Sequence, residues 1–182
     1  MSNLSSEQIK NIMLDAGVIY LDYTTASTPL MLAPTKGANS FVVENEIKEI
    51  EFNGMRGKTK GMRRVIRQDA SLTVRVMDMS LENIKMALAG AKTTVVSSKI
   101  TEITNGDGSI ADAEYIGDVT FVGVDMEGKS KVISLFNVLG DNNLSIEATD
   151  KEEGVVEIVF SAHFDATDDT KLLYKITELP AP

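Results

Sequence analysis

The sequence predicts a mainly β fold: a β-sandwich or barrel with one flanking α-helix and a short N-terminal helix. Three observations carry this expectation. Runs such as Ser71-Leu72-Thr73-Val74-Arg75-Val76 alternate polar and apolar side chains, the period-two pattern of a half-buried strand. Turn sequences of Gly, Asn and Asp break the second half about every 8–12 residues, the spacing of sandwiches and barrels. Helical spacing with signals at both ends is clear only near 80–89. A lone helix cannot build a core, so it must lie against a sheet.

In chain order, Ser5, Ser6, Glu7 and Gln8 resemble a capping box ahead of Ile9, Ile12 and Met13. This predicts a short helix ended by Gly17. Residues 18–23 read as a strand. Residues 24–39 hold Pro29, Pro34 and Gly37 among many Thr and Ser, and read as a long loop. Strands follow near 40–44 and 47–52, then near 63–68 and 71–77. In the helix at about 80–89, Ser80 is the expected N-cap and Gly90 the C′ stop, with Leu81, Ile84 and Leu88 as the apolar stripe. Further strands are expected at 93–103, 114–126, 131–139, 144–149, 155–164 and 172–176. The whole chain, 1–182, reads as a single domain with an N-terminal arm at 1–17 and a C-terminal tail at 177–182.

Apolar residues make up 43% and charged residues 25%, ordinary for a soluble globular protein. The absence of cysteine removes disulfides, thiolate metal sites and cysteine nucleophiles together. The N-terminal stretch lacks a basic patch followed by an apolar run, so no signal peptide is expected, and no apolar run is long enough to span a membrane.

Chemical motifs are sparse. Residues 103–114 match a calcium-binding EF-hand loop at Asn105, Asp107, Gly108, Ile110 and Glu114. Ile103 stands where that pattern needs an Asp, and the flank is β-branched, so a tight Asn/Asp/Gly turn is the expected structure. His163 is the only histidine. Ser161, His163 and Asp165 would share one strand face and point in parallel, which rules out a nucleophile–base–orienter chain. Carboxylate pairs such as Glu46/Glu49 and Asp168/Asp169 read as solvated surface. Gly54, Gly57 and Gly61 lack the Gly-Lys-Ser/Thr and the helix of a nucleotide-binding loop. No catalytic residue, metal or cofactor is expected.

Charge is distributed unevenly. The chain has 18 Lys+Arg and 27 Asp+Glu, a net charge of −9. Arg56, Lys58, Lys60, Arg63, Arg64 and Arg67 all fall within residues 53–68, which hold no acid; the rest stands at −15. As a nucleic-acid site the stretch lacks interleaved aromatics, with only Phe52 near. A plain solvated loop is the second reading. The third is an assembly loop, kept mobile by Gly54, Gly57 and Gly61, that meets acidic surface on another copy.

The order of these features resembles the major tail tube protein of long-tailed bacteriophages, especially those of Gram-positive hosts. The matching stretches are residues 17–23, Leu32 to Gly37, Ile47 to Arg64, Ala70 to Met77 with Ser80 to Leu88, and Val159 to Asp165. They span nearly the whole chain as an ordered set, with no single diagnostic motif. The resemblance implies a β-sandwich whose copies form hexameric rings stacked into a hollow tube in the virion tail. The protein would be made in the cytoplasm of the infected bacterium. Its partners would be itself, the tape measure and tail terminator proteins, and DNA as transient cargo during ejection; no membrane is involved. Residues 53–62 would form the inter-ring loop, placing Arg56, Lys58, Lys60, Arg63 and Arg64 between subunits. Glu44, Glu46, Glu49 and Glu51 are candidates for an acidic lumen, with their facing open because Glu44/Glu46 and Glu49/Glu51 differ in parity. A tube of a phage-derived bacteriocin or contractile injection system shares the resemblance. A monomeric β-sandwich module binding carbohydrate or calcium is the alternative of another class; the chain has no Trp for a sugar platform.

Overall fold

The computed structural model describes residues 17–51, 53–54, 56–141, 144–147, 153–168 and 170–180. The expected N-terminal helix lies outside these residues. The described chain is mainly β. Its elements are β1 (Val18–Leu21), β2 (Leu30–Met31), β3 (Ser40–Glu49), β4 (Arg63–Val76), α1 (Leu81–Met86), β5 (Lys92–Val96), β6 (Lys99–Thr104), β7 (Ile116–Val124), β8 (Ser130–Gly140), β9 (Ser145–Glu147), β10 (Val155–Ala162) and β11 (Tyr174–Leu179).

The main sheet runs β2-β1-β7-β8-β10-β4-β3, with β11 on β8 and β9 on β10. Every pairing is antiparallel. Strand β8 is shared, its end at Val138–Gly140 pairing with β10 and its start at Ser130–Leu135 with β11. After β2 the chain returns to β4: Met77 N–H donates to Pro34 O at 2.9 Å and Lys36 N–H to Arg75 O at 2.9 Å. That contact ties the β2 end of the order back to β4 and curls the sheet around its core.

The core follows the period-two pattern. Leu72, Val74 and Val76 of β4 face Val156, Ile158 and Phe160 of β10, all essentially without exposure, joined by Ile19, Val119, Leu135 and Val138. Each such side chain contributes about 1.5–3 kcal/mol through burial. Phe164 would continue this face by period two, but β10 stops at Ala162 and Phe164 is exposed.

Several expectations need correction. The pairs expected at 40–44/47–52 and 63–68/71–77 are two continuous strands, β3 and β4, with a bulge after Glu46 absorbing the break in pattern. Residues 93–103 are a separate hairpin, β5–β6, turning at Ser97 and Ser98, both at positive φ (51° and 64°). Serine-serine is a weak turn signal, so the β-branched run hid the turn. The loop at 24–39 contains β2. The C-terminal tail begins later, because Thr177 and Glu178 belong to β11. There Leu173 is buried and Leu172 exposed.

The helix is shorter than expected, ending at Met86. Ser80 occupies the N-cap position without a side-chain cap bond; its hydroxyl donates to Asp78. Strand β8 stops the helix, since Ala89 N–H donates to Gly140 O at 3.1 Å instead of extending the helical ladder. Gly140 lies so close that a Cβ there would stand 1.8 Å from Met86 O. Of the expected stripe, Ile84 packs against the core, Leu81 and Leu88 are half-buried, and the buried positions of this stretch are Asn83 and Ala87.

Candidate assembly surface

Strands β3 and β4 form a long hairpin with two different halves. In the lower half, Phe41 opposite Leu72 and Val43 opposite Ala70 point into the core. In the upper half, every β3 residue from Glu44 to Lys48 and every β4 residue from Arg63 to Arg67 is exposed, whichever face it lies on. Ile47, Val65 and Ile66 are about half exposed, at 48%, 56% and 54%. Ile50 N–H donates to Met62 O at 2.8 Å, continuing the pairing past the strand ends. The upper hairpin is therefore an ordered arm that no other described residue covers. Exposed β-branched side chains on a paired hairpin make this arm a candidate surface for another molecule.

The connecting loop carries Arg56, Lys58 and Lys60, all exposed. Gly54, Gly57 and Gly61 sit at positive φ (93°, 139° and 89°), the region that favours glycine. Thr59 Oγ1 donates to Gly57 O at 3.2 Å and Met62 N–H to Thr59 O at 3.2 Å, so the loop folds on itself. Among the described residues Arg56, Lys58, Lys60, Arg63 and Arg64 form no ion pair. Elsewhere Lys36, Arg75, Lys85, Lys92, Lys129, Lys131 and Lys171 each meet a carboxylate, and Lys99 and Lys175 are the exceptions. The unpaired cations are thus concentrated on the arm.

Register settles which glutamates share a face. Glu44 lies opposite Asp69 and Glu46 opposite Arg67, on the side of Val42 and Ser71, away from the core. Directly opposed residues share a face and alternate residues repeat it. The bulge adds its extra residue, Ile66, to β4, so β3 keeps its parity. Ile47 and Glu49 continue the face of Phe41 and Val43, opposite Val65 and Arg63. The four glutamates therefore do not form one surface: Glu44 and Glu46 sit together, Glu49 lies on the other side, and Glu51 is beyond the strand.

A groove of about 420 Å³ at the root of the arm is lined by Glu44, Arg67, Asp69, Asp141, Ser161 and His163. Ser161 Oγ donates to Asp141 Oδ1 at 2.6 Å, while His163 Nε2 is 3.7 Å from Asp141 and its Nδ1 is 3.2 Å from Asn137 O. The acid stands between serine and histidine, so His163 is not placed to take the serine proton. Asp165 is held elsewhere, by Thr167 and Lys171.

The EF-hand-like stretch has its carboxylates engaged. Glu114 accepts from Lys85 Nζ at 2.8 Å and from Gly90 N–H at 2.8 Å, clamping the helix exit. Asp107 accepts from Ser109 N–H at 3.1 Å, and Ser109 together with Lys92 pushes its pKa down to about 2. Sequence reasoning missed Asp118, which is fully buried on β7. It accepts from Thr24 N–H, Thr24 Oγ1 and Thr120 Oγ1 at 2.9, 2.7 and 2.8 Å and pins residues 22–25 to the sheet. Its signal was faint: an acid flanked by apolar strand residues.

No protein-family model matches the sequence. No curated protein matches it either. Among solved structures, one similar chain comes from the tail of an empty GTA particle with C6 symmetry: 11% identity, TM-score 0.44, covering 90% of this chain and 96% of that one. Another comes from the virion of a native gene transfer agent particle: 10% identity, TM-score 0.46, covering 96% of this chain and 99% of that one. Likeness at this level carries no functional conclusion.

Proposed function

We propose that this chain is a structural subunit of a phage-type tail tube, self-assembling into stacked hexameric rings that conduct DNA at ejection. The observation that carries this reading is the β3–β4 arm, an ordered hairpin exposed on both faces among the described residues, with cations that no described carboxylate pairs, on an acidic body. Such an arm is complete only against another molecule, and the charge imbalance makes a second copy a fitting one. The sequence resemblance to major tail tube proteins supports the same role. In this reading residues 53–62 reach the adjacent ring, and Arg56, Lys58, Lys60, Arg63 and Arg64 meet acidic surface there. Glu44 and Glu46, with Asp69 on the same face, are the best-placed acidic lining for a lumen that DNA slides through by repulsion. The other partners are the tape measure and tail terminator proteins, and the site of action is the virion tail.

The test is charge reversal at the loop. Arg56→Glu, Lys58→Glu and Lys60→Glu together remove no ion pair within the chain, so circular dichroism should be unchanged and Tm should move by no more than about 2 °C. Stacking into tubes should be lost. Unimpaired tubes from this variant would remove the loop from the reading.

A further inference from the structure

An apolar groove of about 550 Å³ lies at the base of the molecule, between β1–β2, α1 and β6. Leu21 and Leu32 form its floor, and Leu30 and Met31 stand on its rim at 66% and 57% exposure. Asp78 and Glu82 add negative charge to the edge, and Glu82 has no ion-pair partner among the described residues.

The upper hairpin presents the opposite character. Ile47 and Val65 lie opposite each other as an exposed apolar ridge. Arg63 falls on the same face, without an ion-pair partner. We infer that this ridge docks into the groove of a second copy, with Ile47 and Val65 on the apolar floor and Arg63 against Glu82. Apolar contact and charge thus match in one placement, the arrangement of an interface centre with a charged rim.

Docking within one chain is ruled out by length. Strand β4 carries the ridge at its start and leads to Asp78 just past its end. Its 14 residues, at about 3.3 Å each, hold ridge and groove roughly 40 Å apart. The contact is therefore heterologous: each copy offers a ridge at one end and a groove at the other, which propagates or closes instead of stopping at a dimer. This inference rests on the subunit reading and names the surface that receives the arm.

The chain has no cysteine, so engineered cysteines report without background. Val65→Cys chains and Met31→Cys chains are mixed under assembly conditions and treated with a short bis-maleimide. A cross-linked heterodimer should form, and Val65→Cys mixed with Ile176→Cys, an exposed position on β11, should give none. Glu82→Arg should raise the concentration needed for assembly at least about ten-fold, and adding Arg63→Glu should restore it. Wild-type assembly without the 65–31 cross-link, or assembly indifferent to Glu82→Arg, overturns the docking and leaves the subunit reading standing. A wild-type chain that sediments as a monomer at every concentration overturns both.

Discussion

Replacing Asp118 with alanine tests whether one buried carboxylate holds the 22–25 segment on the sheet. The side chain is fully buried. Oδ1 accepts from Thr24 N–H and the Thr24 hydroxyl at 2.9 and 2.7 Å, Oδ2 accepts from Thr120 Oγ1 at 2.8 Å, and the single proton of the Thr25 hydroxyl is shared between Asp22, at 3.1 Å, and Asp118, at 3.3 Å. Thr120 Oγ1 also lies 2.8 Å from Ser134 Oγ. A hydroxyl has one proton, so while Thr120 donates to Asp118 it accepts from Ser134. After Asp118→Ala, Thr120 can turn to Ser134, but Thr24 N–H loses its acceptor. Hydrogen bonds to a charged group are worth about 1.5–3 kcal/mol each, and relief of the carboxylate's desolvation offsets part of their sum. The net loss is about 2–4 kcal/mol, a fall in Tm of roughly 5–15 °C for a domain of this size. Asp118→Asn keeps an acceptor for Thr24 and lets Thr120 accept from the amide, so it should lose only about 1 kcal/mol. Differential scanning fluorimetry at neutral pH reads both. A Tm for Asp118→Ala within about 2 °C of wild type would mean that Asp118 does not hold the 22–25 segment.

Two further outcomes follow from close packing and from titration. Gly140→Ala should destabilise by at least about 1–3 kcal/mol, measured by urea unfolding, because the new Cβ meets the Met86 backbone carbonyl, which cannot rotate aside. Glu114 is held below the usual glutamate pKa, first by Lys85 and also by Gly90 N–H. A depressed folded pKa gives stability that is present above the unfolded value and lost as pH falls through the folded one. Glu114→Gln should therefore lower Tm at neutral pH, with the difference from wild type shrinking as pH drops below about 4.

Strand positions with one buried face were legible in the sequence, as at Leu72, Val74, Val156 and Ile158. Period two needs only one covered face to leave its mark. The helix's early end was not legible, because strand β8 reaches the helix at Gly140 and cuts it short, a tertiary contact no local pattern carries. The 97–98 turn escaped because two serines there take positive φ, a conformation usually given to Gly or Asn. On the β3–β4 arm, charge was legible and exposed apolarity was not. The basic residues of 53–68 stand out in any reading of the chain. Ile47, Val65 and Ile66 look like ordinary core positions until their exposure is known. An exposed strand segment can carry the same residue types as one covered by its own core.

Negative-stain electron microscopy of the purified protein, at high concentration and low salt, asks whether the β3–β4 arm joins copies of this chain. If it does, rings or hollow tubes of uniform diameter form and vanish in the Arg56/Lys58/Lys60→Glu variant. Dispersed monomers under the same conditions would rule out that role for the arm.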